Sequence, residues 1–171
     1  MTPTEMSRVL VLVTLALAVL VGCGPGLIES ARLSSLDPGR TTIEYRFNDS
    51  SVAPEYHRSY TLIARSDEVS IVVDSYGDVL HEETSSIDEE TWGRLVRAVS
   101  DLDVAAPGDP DECTGGTSRD LLISEDDATP VLDLHLAVCD EQGQTEAAVI
   151  EAFVEPLLEL FDLETLLAPS D

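Results

Sequence analysis

The stretch YTLIARSDEVSIVVDSYGDVLHEET, residues 60–84, holds three short runs separated by two turns, and how these runs pair decides the fold. In VSIVV, Val69, Ile71 and Val73 share one face, the period-two pattern of a half-buried strand. YTLIA and VLHEET are equally short. The turns are Ser66-Asp67-Glu68 and SYGD, residues 75–78. Strands joined this closely pair as antiparallel hairpins. Upstream, TTIEYRF (41–47) alternates Ile43, Tyr45 and Phe47 with Glu44 and Arg46, and a loop containing Pro54 joins it to YTLIA.

Downstream the period changes. Trp92, Leu95, Val96, Val99 and Leu102 recur at helical spacing. Ser86 and Glu89 read as a capping box before them, and Glu90 precedes Arg94 by the four residues that suit a helical ion pair. After a long loop, DVAAPGDPDECTGGTS, come two more strands, RDLLIS and VLDLHLAV, around the turn EDDATP at 125–130. A second helix is predicted from Thr145 to Asp162, its apolar stripe made of Ile150, Phe153, Val154, Leu157 and Phe161. Glu151, Glu155 and Glu159 form a ridge on it, and Pro156 should kink or divide it. The order ββββαββα predicts an α+β fold: an antiparallel sheet of about six strands with two helices packed on one face.

The N-terminus reads as an address. Residues 9–21 are apolar except Thr14, whereas a membrane span needs about 20 apolar residues. A polar head with Arg8 and Glu5, a short apolar middle and small residues at its end lay out a cleavable export signal. Leu20-Val21-Gly22-Cys23 resembles the lipobox of bacterial lipoprotein precursors. That resemblance implies a diacylglycerol on the Cys23 thiol, cleavage just before it, and a cell-envelope location anchored in the membrane. Gly24, in place of the aspartate typical of inner-membrane lipoproteins, implies the outer membrane where the host has two. The plainer alternative is an ordinary signal peptide with an incidental cysteine. The resulting division is a signal peptide at 1–22, a lipidated N-terminus and flexible tether at 23–40, one domain at 41–165 and a short tail at 166–171.

With Cys23 lipidated, Cys113 and Cys139 remain, an even pair for an oxidising compartment. Both are equidistant from position 126, inside the expected turn, so they would face each other across a hairpin. A disulfide closing a loop of about 25 residues contributes roughly 3 kcal/mol in the chain-entropy picture. Without a C-x-x-C spacing, its role reads as structural.

The net charge is −25 and the chain contains no lysine. Residues 1–66 balance six arginines against six acids, so the surplus lies wholly in residues 67–171. Such a surface disfavours nucleic acid and anionic membrane faces, and could steer a basic protein partner. Codon composition and solubility in a salty habitat account for the same acidity.

Catalytic patterns are sparse. HEETS (81–85) puts Ser85 where a zinc motif needs its second histidine, and it falls in strand. DPDE (109–112) lacks calcium-loop spacing. His81 reads as a surface strand residue. His135 lies two residues from Asp133 on a polar face, too few ligands for a metal site. No cofactor or metal is expected. Two segments stand out as binding candidates. YHRSY sets Tyr56, His57, Arg58 and Tyr60 together; a guanidinium fork and tyrosine faces could grip a carboxylate or a sugar hydroxyl, or Arg58 could balance acids while Tyr60 fills the core. CTGGTS could form an anion-binding nest from Gly115, Gly116, Thr117 and Ser118, or its glycines could simply turn the chain. YHRSY, SYGD, CTGGTS and the later cysteine together look like uncharacterised bacterial exported proteins, a resemblance that implies no activity.

The leading expectation is a lipid-anchored envelope protein with a non-catalytic binding or structural domain. The alternatives are an acidic inhibitor or sequestering protein for a basic secreted enzyme, and a hydrolase using His57 or His135 with an acidic residue.

Overall fold

Alternation in the first four runs becomes a four-strand meander in the computed structural model, which describes residues 33, 35–103, 115–126 and 130–169. The strands are β1 (Thr41–Asn48), β2 (Ser59–Ala64), β3 (Glu68–Ser75) and β4 (Asp78–Ser86). Helix α1 (Glu89–Ala98) follows and runs into a 3-10 turn at Val99–Asp101. Then come β5 (Thr117–Glu125), β6 (Leu132–Val138), the long helix α2 (Glu141–Leu158) and the single turn α3 (Leu163–Leu166). The sheet has six antiparallel strands in the order β4-β3-β2-β1-β5-β6. The chain returns from α1 to lay β5 against the free side of β1, so the first strand becomes central.

The pairing register aligns the apolar sets. Ile43 lies between Ala64 and Ile123, and Tyr45 between Leu62 and Leu121. These residues and Val69, Ile71 and Val73 are buried in one core with Trp92, Leu95 and Val96 of α1 and Ile150, Phe153, Val154 and Leu157 of α2. Both helices therefore cover the same face of the sheet, and the fold is α+β as expected. The other face carries Glu44, Arg46, Asn48, Asp120 and His135.

Several local expectations change. Ser86 stays in β4, opposite Glu68, and the α1 cap is Asp88, whose carboxylate accepts the Thr91 N–H at 2.9 Å. Arg94 donates to the Thr91 hydroxyl at 3.0 Å, and among the described residues no Glu90–Arg94 ion pair forms. Helix α2 begins at Glu141, not Thr145, because Asp140 caps it by accepting the Gly143 N–H at 2.7 Å. It passes Pro156 undivided and ends two residues later. Leu33 and Leu36 pack against the core, and the Trp92 indole donates to the Pro38 carbonyl at 2.8 Å. The folded part thus starts before residue 41. The expected tail is tied down as well, since Leu166 is buried and Ala168 accepts from Arg58.

The β5–β6 hairpin is offset from its predicted centre. Thr117 pairs with Val138 and Ile123 with Leu132, which places the centre between 127 and 128 and not at 126. Continued in that register, Cys139 lies opposite Gly116, so the symmetry argument that paired it with Cys113 does not hold. Cys139 is nevertheless disulfide-bonded. Cys113 and Cys23 lie outside the described residues, as does the signal segment.

Candidate functional site at the far end of the sheet

Strand β1 starts at Thr41, where the chain comes in, and ends at Asn48. The ladders place the start of β2, the β3–β4 turn, the start of β5 and the end of β6 at that same far end. The loop 49–58, the turn 75–78 and residues 115–118 therefore gather there. Both sequence-predicted binding segments reach this end, but their side chains do not converge on one ligand position.

Tyr56 is exposed, whereas His57 and Arg58 are buried. The His57 ring stacks on Tyr76 with centroids 3.9 Å apart. Its Nδ1 accepts the Tyr76 backbone N–H at 3.3 Å, so the ring proton lies on Nε2, which faces the Ser59 hydroxyl at 3.4 Å. The Ser59 oxygen also accepts the Asp49 N–H at 3.0 Å. Arg58 donates through Nη1 to the His57 carbonyl at 2.7 Å, and through Nε and Nη2 to the Ala168 carbonyl at 3.3 and 3.2 Å. Its guanidinium fork thus holds the C-terminal segment against the loop. Tyr60 points into the core, stacked on Phe47 at 5.2 Å and tilted against Tyr45 at 6.0 Å. Burial pushes the ionisation of both tyrosines upward.

The glycine segment is mostly a strand start. Gly115 has φ +80, a backbone state that glycine adopts without strain. Thr117 Oγ1 and the Ser118 carbonyl each accept from Arg119 Nη1 at 3.1 Å, and Ser118 Oγ accepts from Asn48 at 2.9 Å. Thr114 of the same segment lies outside the described residues.

The turn at 75–78 has two central residues with positive φ, Tyr76 at 53° and Gly77 at 91°. Such turns match the twist of the strands they join and normally take Asn, Asp or Gly. A bulky side chain in this conformation costs roughly 1–2 kcal/mol. Contacts with the neighbouring loop offset that cost: the His57 stack, the Tyr76 hydroxyl donating to the Val52 carbonyl at 2.6 Å, and Ser75 donating to the Pro54 carbonyl at 2.8 Å. The loop and the turn thus form one joined surface. On it stand Val52, Tyr56 and Tyr76, exposed by 40%, 63% and 55%, and Val79, exposed by 63%, follows the turn at the start of β4. Among the described residues only Val149 is a further large apolar side chain so exposed. Isolated exposed apolar residues are ordinary, but gathered ones mark contact surfaces. The sequence reading missed Val52, Tyr76 and Val79. The available signal was a tyrosine where a two-residue turn prefers a small polar residue.

The remaining histidines lie elsewhere. His81 is exposed on the edge strand β4. His135 meets an acid, though not Asp133: its Nδ1 lies 2.5 Å from Asp120 Oδ1, across β5–β6 on the uncovered face. The other Asp120 oxygen accepts from Asn48 at 2.8 Å. Among the described residues no three His, Cys, Asp or Glu side chains are placed to hold a metal. Beside α2, Tyr60, Leu158, Phe161 and Leu163 line a groove with Glu151, Glu155 and Glu159 along it. Glu151 is paired to Arg119 at 2.7 Å, and Arg119 lies over the Phe47 ring. No family model matches the chain, and comparison with curated proteins finds no match.

Proposed function

We propose that this chain is a lipid-anchored cell-envelope protein whose folded domain is a non-catalytic binding module, with the far end of the sheet as its contact surface. One observation carries the reading: three exposed apolar side chains stand on a loop and a turn that lock together, with exposed Val79 directly after the turn, and one of the three is a tyrosine in a left-handed conformation. Tyrosine supplies a large, rigid contact area at low conformational cost and is enriched where binding energy concentrates. His57 holds the Tyr76 ring before any partner arrives, which lowers the ordering cost of association. The patch lies at the end of the sheet away from the start of β1, about 25 Å along an eight-residue strand.

The anchor and the surface are tested in one set of cells. In the full chain, Cys23→Ser should abolish incorporation of labelled fatty acid and leave an uncut precursor. Tyr56→Ser combined with Val79→Ser should leave lipidation and thermal stability unchanged while removing the protein from any assembly in which the parent sediments. Fatty-acid labelling that survives Cys23→Ser would refute the anchor, and unchanged co-sedimentation would refute the surface.

A further inference from the structure

The same surface carries information about what it meets. The loop 49–58 and the segment 74–83 contain six acids, Asp49, Glu55, Asp74, Asp78, Glu82 and Glu83. Their one arginine is Arg58, whose guanidinium is turned inward onto the His57 and Ala168 carbonyls. Asp49 and Asp74 serve the loop and turn themselves, accepting the Arg58 and Gly77 N–H groups. Glu55 and Asp78 are exposed, each directly preceding an exposed apolar residue, Tyr56 and Val79. Glu82 and Glu83 follow on the exposed edge strand, one towards each face of the sheet. The surface is therefore apolar at its centre and negative at its rim.

From this arrangement we infer that the far end docks a basic protein surface with an apolar centre. The inference rests on the proposed binding function and names the partner's chemistry. Rim charges of one sign steer an oppositely charged partner and reject like-charged ones, while a desolvated aromatic centre holds it. Self-association through this face is disfavoured because two negative rims would meet. An acidic or polymeric anionic partner is disfavoured for the same reason. Tyr76 and Tyr56 are the expected anchors. Glu55 and Asp78 act mainly on the encounter rate, because exposed charges are screened and contribute little once docked.

The test is photo-cross-linking in intact cells with the full lipidated chain. A photoreactive phenylalanine analogue replaces Val79, and in a control it replaces Asp133 on the uncovered sheet face. The expected result is an adduct from position 79, absent from 133, with a protein in which Lys and Arg outnumber Asp and Glu. Adding Tyr76→Gly should remove the adduct at least tenfold while thermal unfolding stays close to the parent, since glycine accepts the positive φ. With Glu55→Gln and Asp78→Asn together, adduct formation should fall several-fold at low salt and converge with the parent at high salt. An adduct at 79 that depends on Tyr76 but joins a neutral or acidic protein, or a glycan, overturns this inference and leaves the binding function standing. No adduct at 79 beyond that at 133 overturns both.

Discussion

The two ends of the sheet solve the same problem in opposite ways. At the near end the turn Arg65–Glu68 is entirely exposed and polar, closed by the Arg65 N–H donating to the Glu68 carbonyl at 2.8 Å. Exposed Arg40 and Asp126 form an ion pair there, and Asp88 caps α1. Apolar groups at this end face inward, as with Trp92 beneath the Pro38 carbonyl. At the far end several polar groups are buried instead. His57, Arg58 and Ser59 lie inside, while Val52, Tyr56, Tyr76 and Val79 face water. A turn that needs only to reverse the chain can be built as the near end builds it. The inverted arrangement at the far end, with a left-handed tyrosine held by a buried histidine, is the feature on which the proposed contact surface rests.

The largest expected effect lies at the near end. Trp92→Ala removes an α1 side chain that is 1% exposed and packs in the core. Its cost should be about 3–5 kcal/mol in urea unfolding, the range for large-to-small changes in a core. A loss below about 1 kcal/mol would mean that the near end is not anchored by that ring. Next comes Arg58→Ala at the far end, which leaves the Ala168 carbonyl without its donor. Hydrogen bonds to charged groups contribute roughly 1.5–3 kcal/mol. Amide exchange should accelerate in α3 more than in β3. Equal acceleration in both would show that Arg58 supports the whole sheet and not the C-terminal segment.

Acid gives the smallest effect. The Arg40 guanidinium holds the Asp126 carboxyl below its ordinary range, and the Thr91 N–H does the same for Asp88. Their folded values are lower than their unfolded ones. The stability they contribute is therefore complete above roughly pH 4 and disappears as pH falls through the lower folded values. In a titration followed by amide chemical shifts, the Arg40 and Thr91 amides should report these protonations only below about pH 4. A transition at either amide centred above that would show that the carboxylate is not held by its partner.

Much of the fold was legible because period and spacing are local properties. Val69, Ile71 and Val73 had to share a face, and Ile150, Phe153, Val154 and Leu157 had to form a stripe, whatever the rest of the chain did. Helix starts were less legible, since Ser86, Asp88 and Asp140 are all capable caps and the choice depends on where a ladder ends. The candidate surface was legible only in part. Tyr56 and His57 were singled out together, yet one faces water and the other lies inside, a difference set by the turn at Tyr76 nearly twenty residues away.

By itself the sequence determined the class of fold, the excess of negative charge and the apolar sets that must be hidden, because each follows from residues close in the chain. Only the tertiary structure decided that β5 would lie against β1, that Thr117 would pair with Val138, and that the loop carrying Val52 and Tyr56 would lock onto the turn carrying Tyr76. Those outcomes depend on long-range pairing register, in which a shift of one residue moves every side chain to the other face.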